Sequence, residues 1–158
     1  MLNLGFDKLG GGRLTGSTGF GKPTLVVNTA SACGFTPQYV ELQQLWDRYR
    51  ERGLVVLGVP CNDFGKQEPG DAAQIGAFCQ TNYGVTFPLA GKVEILNAGA
   101  RHPFYASVAQ ALGEEQLPRW NFHKFLVGAD GELLGGWPPK VSPLAKEVID
   151  AIEEALSK

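Results

Sequence analysis

The stretch that decides the fold runs Pro23-Thr24-Leu25-Val26-Val27-Asn28-Thr29-Ala30-Ser31-Ala32-Cys33-Gly34-Phe35-Thr36-Pro37. Its first half is a β-branched apolar run, too short for a helix and suited to a strand buried on both faces. Its second half turns through small residues to Cys33. Thr36 is expected to cap the helix that follows, and Pro37 to take its first position. A cysteine there sits by a helix N-terminus, where unpaired amide N–H groups and the helix dipole favour a thiolate. The alternative is an inert buried thiol, since free cysteine is among the most buried residue types.

Downstream, the same alternation repeats. Val40, Leu42, Leu45, Trp46 and Tyr49 fall near helical spacing and Gly53 ends that helix. A second apolar strand covers Leu54 to Val59. Asp71 caps a helix to Tyr83 that carries Ile75, Phe78 and Cys79 on one face. A helix is expected from His102 to Leu112. Two short strands flank Ala129-Asp130-Gly131 as a hairpin, and Ser142 to Leu156 forms a closing helix. Upstream, Gly10-Gly11-Gly12, Gly16, Gly19 and Gly21 make Met1 to Lys22 a hairpin-like lead-in. Strands alternating with helices, then a late hairpin, imply an α/β fold with a central mixed sheet flanked by helices.

The chain has 158 residues, 44% hydrophobic and 19% charged, with a net charge of -2, which suits one globular domain over 1–158 and offers no positive surplus for nucleic acid. No apolar run reaches signal-peptide or membrane-span length, so a cytoplasmic protein is expected. Three cysteines are too few and too odd in number for a secreted disulfide framework. Any bridge would be transient and catalytic. His102, His123 and the cysteines match no compact zinc spacing, and neither metal nor cofactor is expected.

Three separated blocks now bear on function. They are Asn28 to Tyr39 around Cys33, Phe64-Gly65-Lys66-Gln67-Glu68-Pro69-Gly70, and Trp120-Asn121-Phe122-His123-Lys124-Phe125. Together they resemble the glutathione peroxidase family, from about Pro23 to the C-terminus. The resemblance implies a thioredoxin-like fold and reduction of hydrogen peroxide and organic hydroperoxides. It places the reactive sulfur at Cys33 and its surrounding set at Gln67, Trp120 and Asn121. A glutamine amide, an indole N–H and an asparagine amide are neutral donors, able to hydrogen-bond an anionic sulfur without a tight ion pair. Each alone has a plain structural role: a turn residue, a core aromatic, a cap.

Attack on a peroxide leaves a sulfenic acid, which must meet a second thiol before it overoxidises. The block Phe78 to Pro88 resembles the one that carries the resolving cysteine in thioredoxin-dependent members, which implies that role for Cys79 and a Cys33–Cys79 disulfide. Part of the Cys79 helix is then expected to unwind to bring the sulfurs together. Cys61 is read as structural. With no Cys-x-x-Cys motif, the reductant must come from outside, and thioredoxin is expected over glutathione. The link Gly113 to Leu117 is shorter than the insertion of tetrameric relatives, which implies a monomer. Ala32, Asp63 and His123 depart from common family residues. Losing a cation at Ala32 and gaining a carboxylate at Asp63 disfavour a thiolate, and a protonated His123 opposes that. A peroxiredoxin is a weaker reading, because its usual Pro-x-x-x-Thr-x-x-Cys signature is missing before Cys33. Two alternatives stay open, a glutathione-dependent peroxidase and a non-catalytic redox sensor on the same fold.

Overall fold

In the computed structural model, which describes residues 2–14 and 21–158, the central sheet has four strands in the order β4-β3-β5-β6. They are β3 (Thr24–Thr29), β4 (Val55–Pro60), β5 (Lys124–Val127) and β6 (Leu133–Trp137). β3 pairs parallel with β4 and antiparallel with β5, and β5 and β6 form the late hairpin. A separate two-stranded sheet pairs β1 (Phe6–Asp7) with β2 (Arg13–Leu14). Of the glycine-rich lead-in, Gly16 and Gly19 lie outside the described residues.

Every residue of β3, β4 and β5 is buried, as expected for strands covered on both faces. Side-chain alternation divides them between two cores. Leu25, Val27, Val56 and Leu126 face α1 (Gln38–Tyr49), α2 (Ala72–Tyr83) and α4 (Lys146–Leu156). Val26, Leu57, Val59, Phe125 and Val127 face α3 (Pro103–Leu112) and the N-terminal Leu2, Leu4 and Phe6. The open edge of β4 is covered by the segment after α2: Gly58 N–H donates to Pro88 O and Ala90 N–H to Gly58 O.

Several local expectations need correction. Thr36 does not cap α1. Its hydroxyl accepts from Cys33 N–H and donates to Ala30 O, so it closes the cysteine loop on itself. Pro37 takes the N-cap position, and Gln38 opens the helix. Tyr39, not Val40, joins Leu42, Leu45 and Tyr49 on the inner face, and Val40 is 45% exposed. The closing helix starts at Lys146 rather than Ser142, because Ala145 is extended between the turn at Ser142 and the helix. Ser142 instead bonds Glu41 of α1. Asp71 is the N-cap of α2 in a reciprocal capping box with Gln74, while His102 caps α3 by accepting from Phe104 N–H. Among the described residues no helix is long and apolar enough to cross a membrane.

Candidate active site

Cys33 sits one turn beyond the end of β3, 7% exposed, in the core cluster under α1. Phe35 N–H points at its sulfur at 3.3 Å. An amide donor two residues on is what a loop leading into a helix supplies, and it stabilises a thiolate more than a thiol.

The three separated blocks converge on this loop. Ala32 N–H donates to Gln67 O at 3.0 Å, which fastens the Gln67 segment to the cysteine loop. Asn121 Nδ2 donates to Gln67 Oε1 at 3.0 Å and to Phe64 O at 3.2 Å. Trp120 packs edge-on to Phe64 and touches both cores. The expected donors do not reach the sulfur directly, because no hydrogen bond joins Gln67, Trp120 or Asn121 to Cys33 Sγ. Asn121 is fully buried and spends its amide on Gln67 and Phe64. Its effect is to hold Gln67 Oε1, leaving Gln67 Nε2 as the free donor end.

Backbone strain marks the same place. Among the described residues, Lys66, next to Gln67, and Phe122, next to Asn121, are the two non-glycine residues with positive φ, at 54° and 68°. Phe122 is held there by its N–H, which donates to Asn28 O at 2.6 Å, while Asn28 Nδ2 donates to Trp120 O at 2.9 Å. Asn28, a residue of the first block without a role in the sequence reading, anchors the Trp120–Phe122 corner to β3. The alternation of apolar residues offers no hint of this, apart from a polar residue inside a fully buried strand.

The other two thiols part company. Cys79 is buried on α2 in the same cluster as Cys33, whereas Cys61 belongs to the cluster on the opposite face of the sheet. Burial pushes the Cys61 thiol up to about 12. Burial also raises the Cys79 thiol, with the Tyr39 phenol beside it acting in the opposite direction. α2 is thinly anchored, since only Ile75 and Cys79 among its residues are buried, and Gly76 sits in its interior.

The departures resolve by placement. Asp63 Oδ2 accepts from Ile95 N–H at 2.6 Å and Leu96 N–H at 2.9 Å, so its carboxylate is spent on a neighbouring loop. His123 is no counter-cation, because burial lowers it to about 4 and leaves it neutral at physiological pH.

The family profile described as glutathione peroxidase matches residues 6–109. This chain belongs to the glutathione peroxidase family. A Bacillus subtilis relative, "Glutathione peroxidase homolog BsaA", is 45% identical over 142 residues, 87% of this chain and 86% of its own. "Glutathione peroxidase-like peroxiredoxin gpx1" of Schizosaccharomyces pombe is 50% identical over 116 residues, covering 72% of this chain and 73% of its own. Among solved structures, the one reported as "Crystal structure of Trgpx in apo form" shares 34% identity at a TM-score of 0.75, over 99% of this chain and 95% of that one. A thioredoxin-family thiol:disulfide interchange protein from Chlorobium tepidum covers 98% of this chain and 94% of its own at a TM-score of 0.67 and 15% identity, which establishes the thioredoxin-like fold and nothing more. This chain therefore carries Cys33 at the β3–α1 junction of a thioredoxin-like fold.

Proposed function

We propose that Cys33 is the thiolate that reduces hydrogen peroxide and organic hydroperoxides, and that Cys79 resolves its sulfenic acid into a Cys33–Cys79 disulfide re-reduced by thioredoxin. The thiolate attacks the terminal peroxide oxygen and the O–O bond breaks; that O–H stays on the sulfur as the sulfenic acid, and the alkoxide or hydroxide leaves and takes a proton from water. Gln67, positioned by Asn121, and Trp120 frame the reacting sulfur. The observation that carries this reading is the placement of Cys33 and Cys79 in one core cluster with Cys61 across the sheet.

The weak anchoring of α2 supports release of Cys79 toward Cys33, and the name peroxiredoxin borne by the fission-yeast relative favours a dithiol reductant over glutathione. The short Gly113–Leu117 link, folded as a single 3-10 turn at Glu114–Gln116, favours a monomer. The test is peroxide-dependent NADPH consumption with thioredoxin and its reductase. Loss of turnover in both Cys33→Ser and Cys79→Ser, with Cys61→Ser active, is the expected result. Persistent turnover in Cys79→Ser would move resolution elsewhere, and turnover with glutathione alone would replace the reductant.

A further inference from the structure

Beside Gln67 lies a carboxyl group that the reaction as described does not use. Glu68 is 1% exposed, and its Oε2 has no hydrogen-bond partner. Its backbone is pinned on both sides: Glu68 N–H donates to Asn62 Oδ1 at 2.9 Å, and Glu68 O accepts from Lys92 Nζ at 3.0 Å. The side chain is thereby kept inside. Fully burying an acid without a matching cation is costly, and such groups concentrate where protons are handled.

Glu68 lines a cleft of about 490 Å³ between the cysteine loop, through Ser31 and Ala32, and α2, through Ile75 and Phe78. Phe78 and Ile75 flank Cys79 on that helix, one and four residues away. Thr29 Oγ1 and Tyr39 OH are also buried without a hydrogen-bond partner, and the Tyr39 hydroxyl lies against Cys79 with the Glu68 carboxyl near enough to act on that thiol.

We propose that Glu68, set in the cleft between the Cys33 loop and α2, accepts the thiol proton of Cys79 as that sulfur attacks the Cys33 sulfenic acid. The proposal rests on the two-cysteine reading above. The S–H bond of Cys79 breaks and its proton passes to the Glu68 carboxylate. The thiolate forms the S–S bond as the S–O bond of the sulfenic acid breaks. The departing hydroxide takes up the proton, so one water is released and Glu68 returns to its carboxylate.

The charges facing this group are few. The Ser31 hydroxyl and amide favour the ionised carboxyl from the cysteine loop, and Lys92 does so from the segment after α2. Tyr39 from α1 and Cys79 from α2 complete the set. Burial outweighs these and raises Glu68 above the usual carboxylate range, which brings it nearer to the thiol it would serve.

The experiment separates the two chemical steps. Reduced protein is mixed with one equivalent of hydrogen peroxide between pH 5 and 9 and quenched at intervals. Dimedone labelling reports the sulfenic acid, and non-reducing mass spectrometry reports the disulfide. Glu68→Gln is expected to form the sulfenic acid within about twofold of the wild-type rate and to close the disulfide about a hundredfold more slowly at pH 7. The pH profile is the readout that a merely structural role would not move. Wild-type closure should rise through carboxyl ionisation and then level, whereas Glu68→Gln should climb about tenfold per pH unit toward the thiol range. Glu68→Asp, which keeps the carboxyl, should retain the plateau at a reduced rate and carries the test if the amide variant does not fold. Closure by Glu68→Gln with the wild-type rate and profile overturns the role, as does a parallel fall of both steps with the plateau kept. A wild-type chain that forms the sulfenic acid but no Cys33–Cys79 disulfide overturns the two-cysteine reading itself, a distinguishable result.

Discussion

Asn121, fully buried, donates its amide to Gln67 Oε1 across 54 positions of sequence, at 3.0 Å. That bond decides which end of the Gln67 amide is free for the sulfur. A hydrogen bond to a charged group contributes about 1.5–3 kcal/mol, so Gln67→Ala should lower the rate constant with hydrogen peroxide roughly tenfold to a hundredfold. Asn121→Ala should act in the same direction through Gln67. Because the two share one interaction, the double variant should lose less than the product of the singles. Rapid-mixing kinetics check this, and independent, multiplicative losses would refute the coupling.

Gly65 lies under the indole of Trp120. It has φ of 70°, and a Cβ added there would stand 2.6 Å from Trp120 Cη2. Gly65→Ala combines a strained backbone with a clash against an aromatic ring. The indole must move, and the expected outcome is a peroxide rate at least tenfold lower with a shifted tryptophan fluorescence maximum. An unchanged spectrum and rate would show that the ring's position is immaterial.

His123 makes stability depend on pH. Its folded value near 4 lies below the ordinary 6.5, so between those limits the unfolded chain binds the extra proton. The neutral imidazole therefore costs nothing above pH 6.5, and stability is lost as pH falls from about 6.5 toward 4, by on the order of 2–3 kcal/mol. His123→Ser should remove this part of the acid sensitivity, though it also loses the ring contact with Phe125 at 4.6 Å. Denaturant midpoints at pH 7 and 4.5 for both proteins give the comparison; equal losses in the two would exclude His123 as the source.

Gly76 tests whether α2 must open. A Cβ there would meet Leu9 Cδ2 at 3.6 Å, an ordinary contact, so Gly76→Ala is sterically tolerated. It should strengthen the helix by up to about 1 kcal/mol. If Cys79 reaches Cys33 by unwinding, disulfide closure should slow by up to about fivefold while the peroxide step is untouched. Unchanged closure would mean that the helix end carrying Cys79 moves without unwinding through Gly76.

The elements themselves were legible because their causes are local. The capping box at Asp71 and Gln74, the buried run Thr24–Thr29 and the thiol placed just before a helix each depend on residues within a few positions of one another. The resemblance carried by three blocks supplied the set of Cys33, Gln67, Trp120 and Asn121, and a fourth block, Phe78 to Pro88, supplied Cys79. Where local reading failed at Thr36 and Ser142, a nearby or distant partner competed for the same group: Ala30 O and Cys33 N–H took the Thr36 hydroxyl, and Glu41 took Ser142.

By itself, then, the sequence determined an alternating α/β chain with a cysteine at the first strand–helix junction and a second thiol at helical spacing on a later helix, since periodicity, caps and spacing act along the chain. Only the tertiary structure decided that Asn28 holds the Trp120 corner, that Asn121 orients Gln67 rather than the sulfur, that Asp63 and His123 are spent elsewhere, and that Cys61 lies across the sheet. It also decided that Glu68 is sealed inside. These outcomes join residues dozens of positions apart, and which face of a sheet or which rival partner wins is settled by packing that no local pattern encodes.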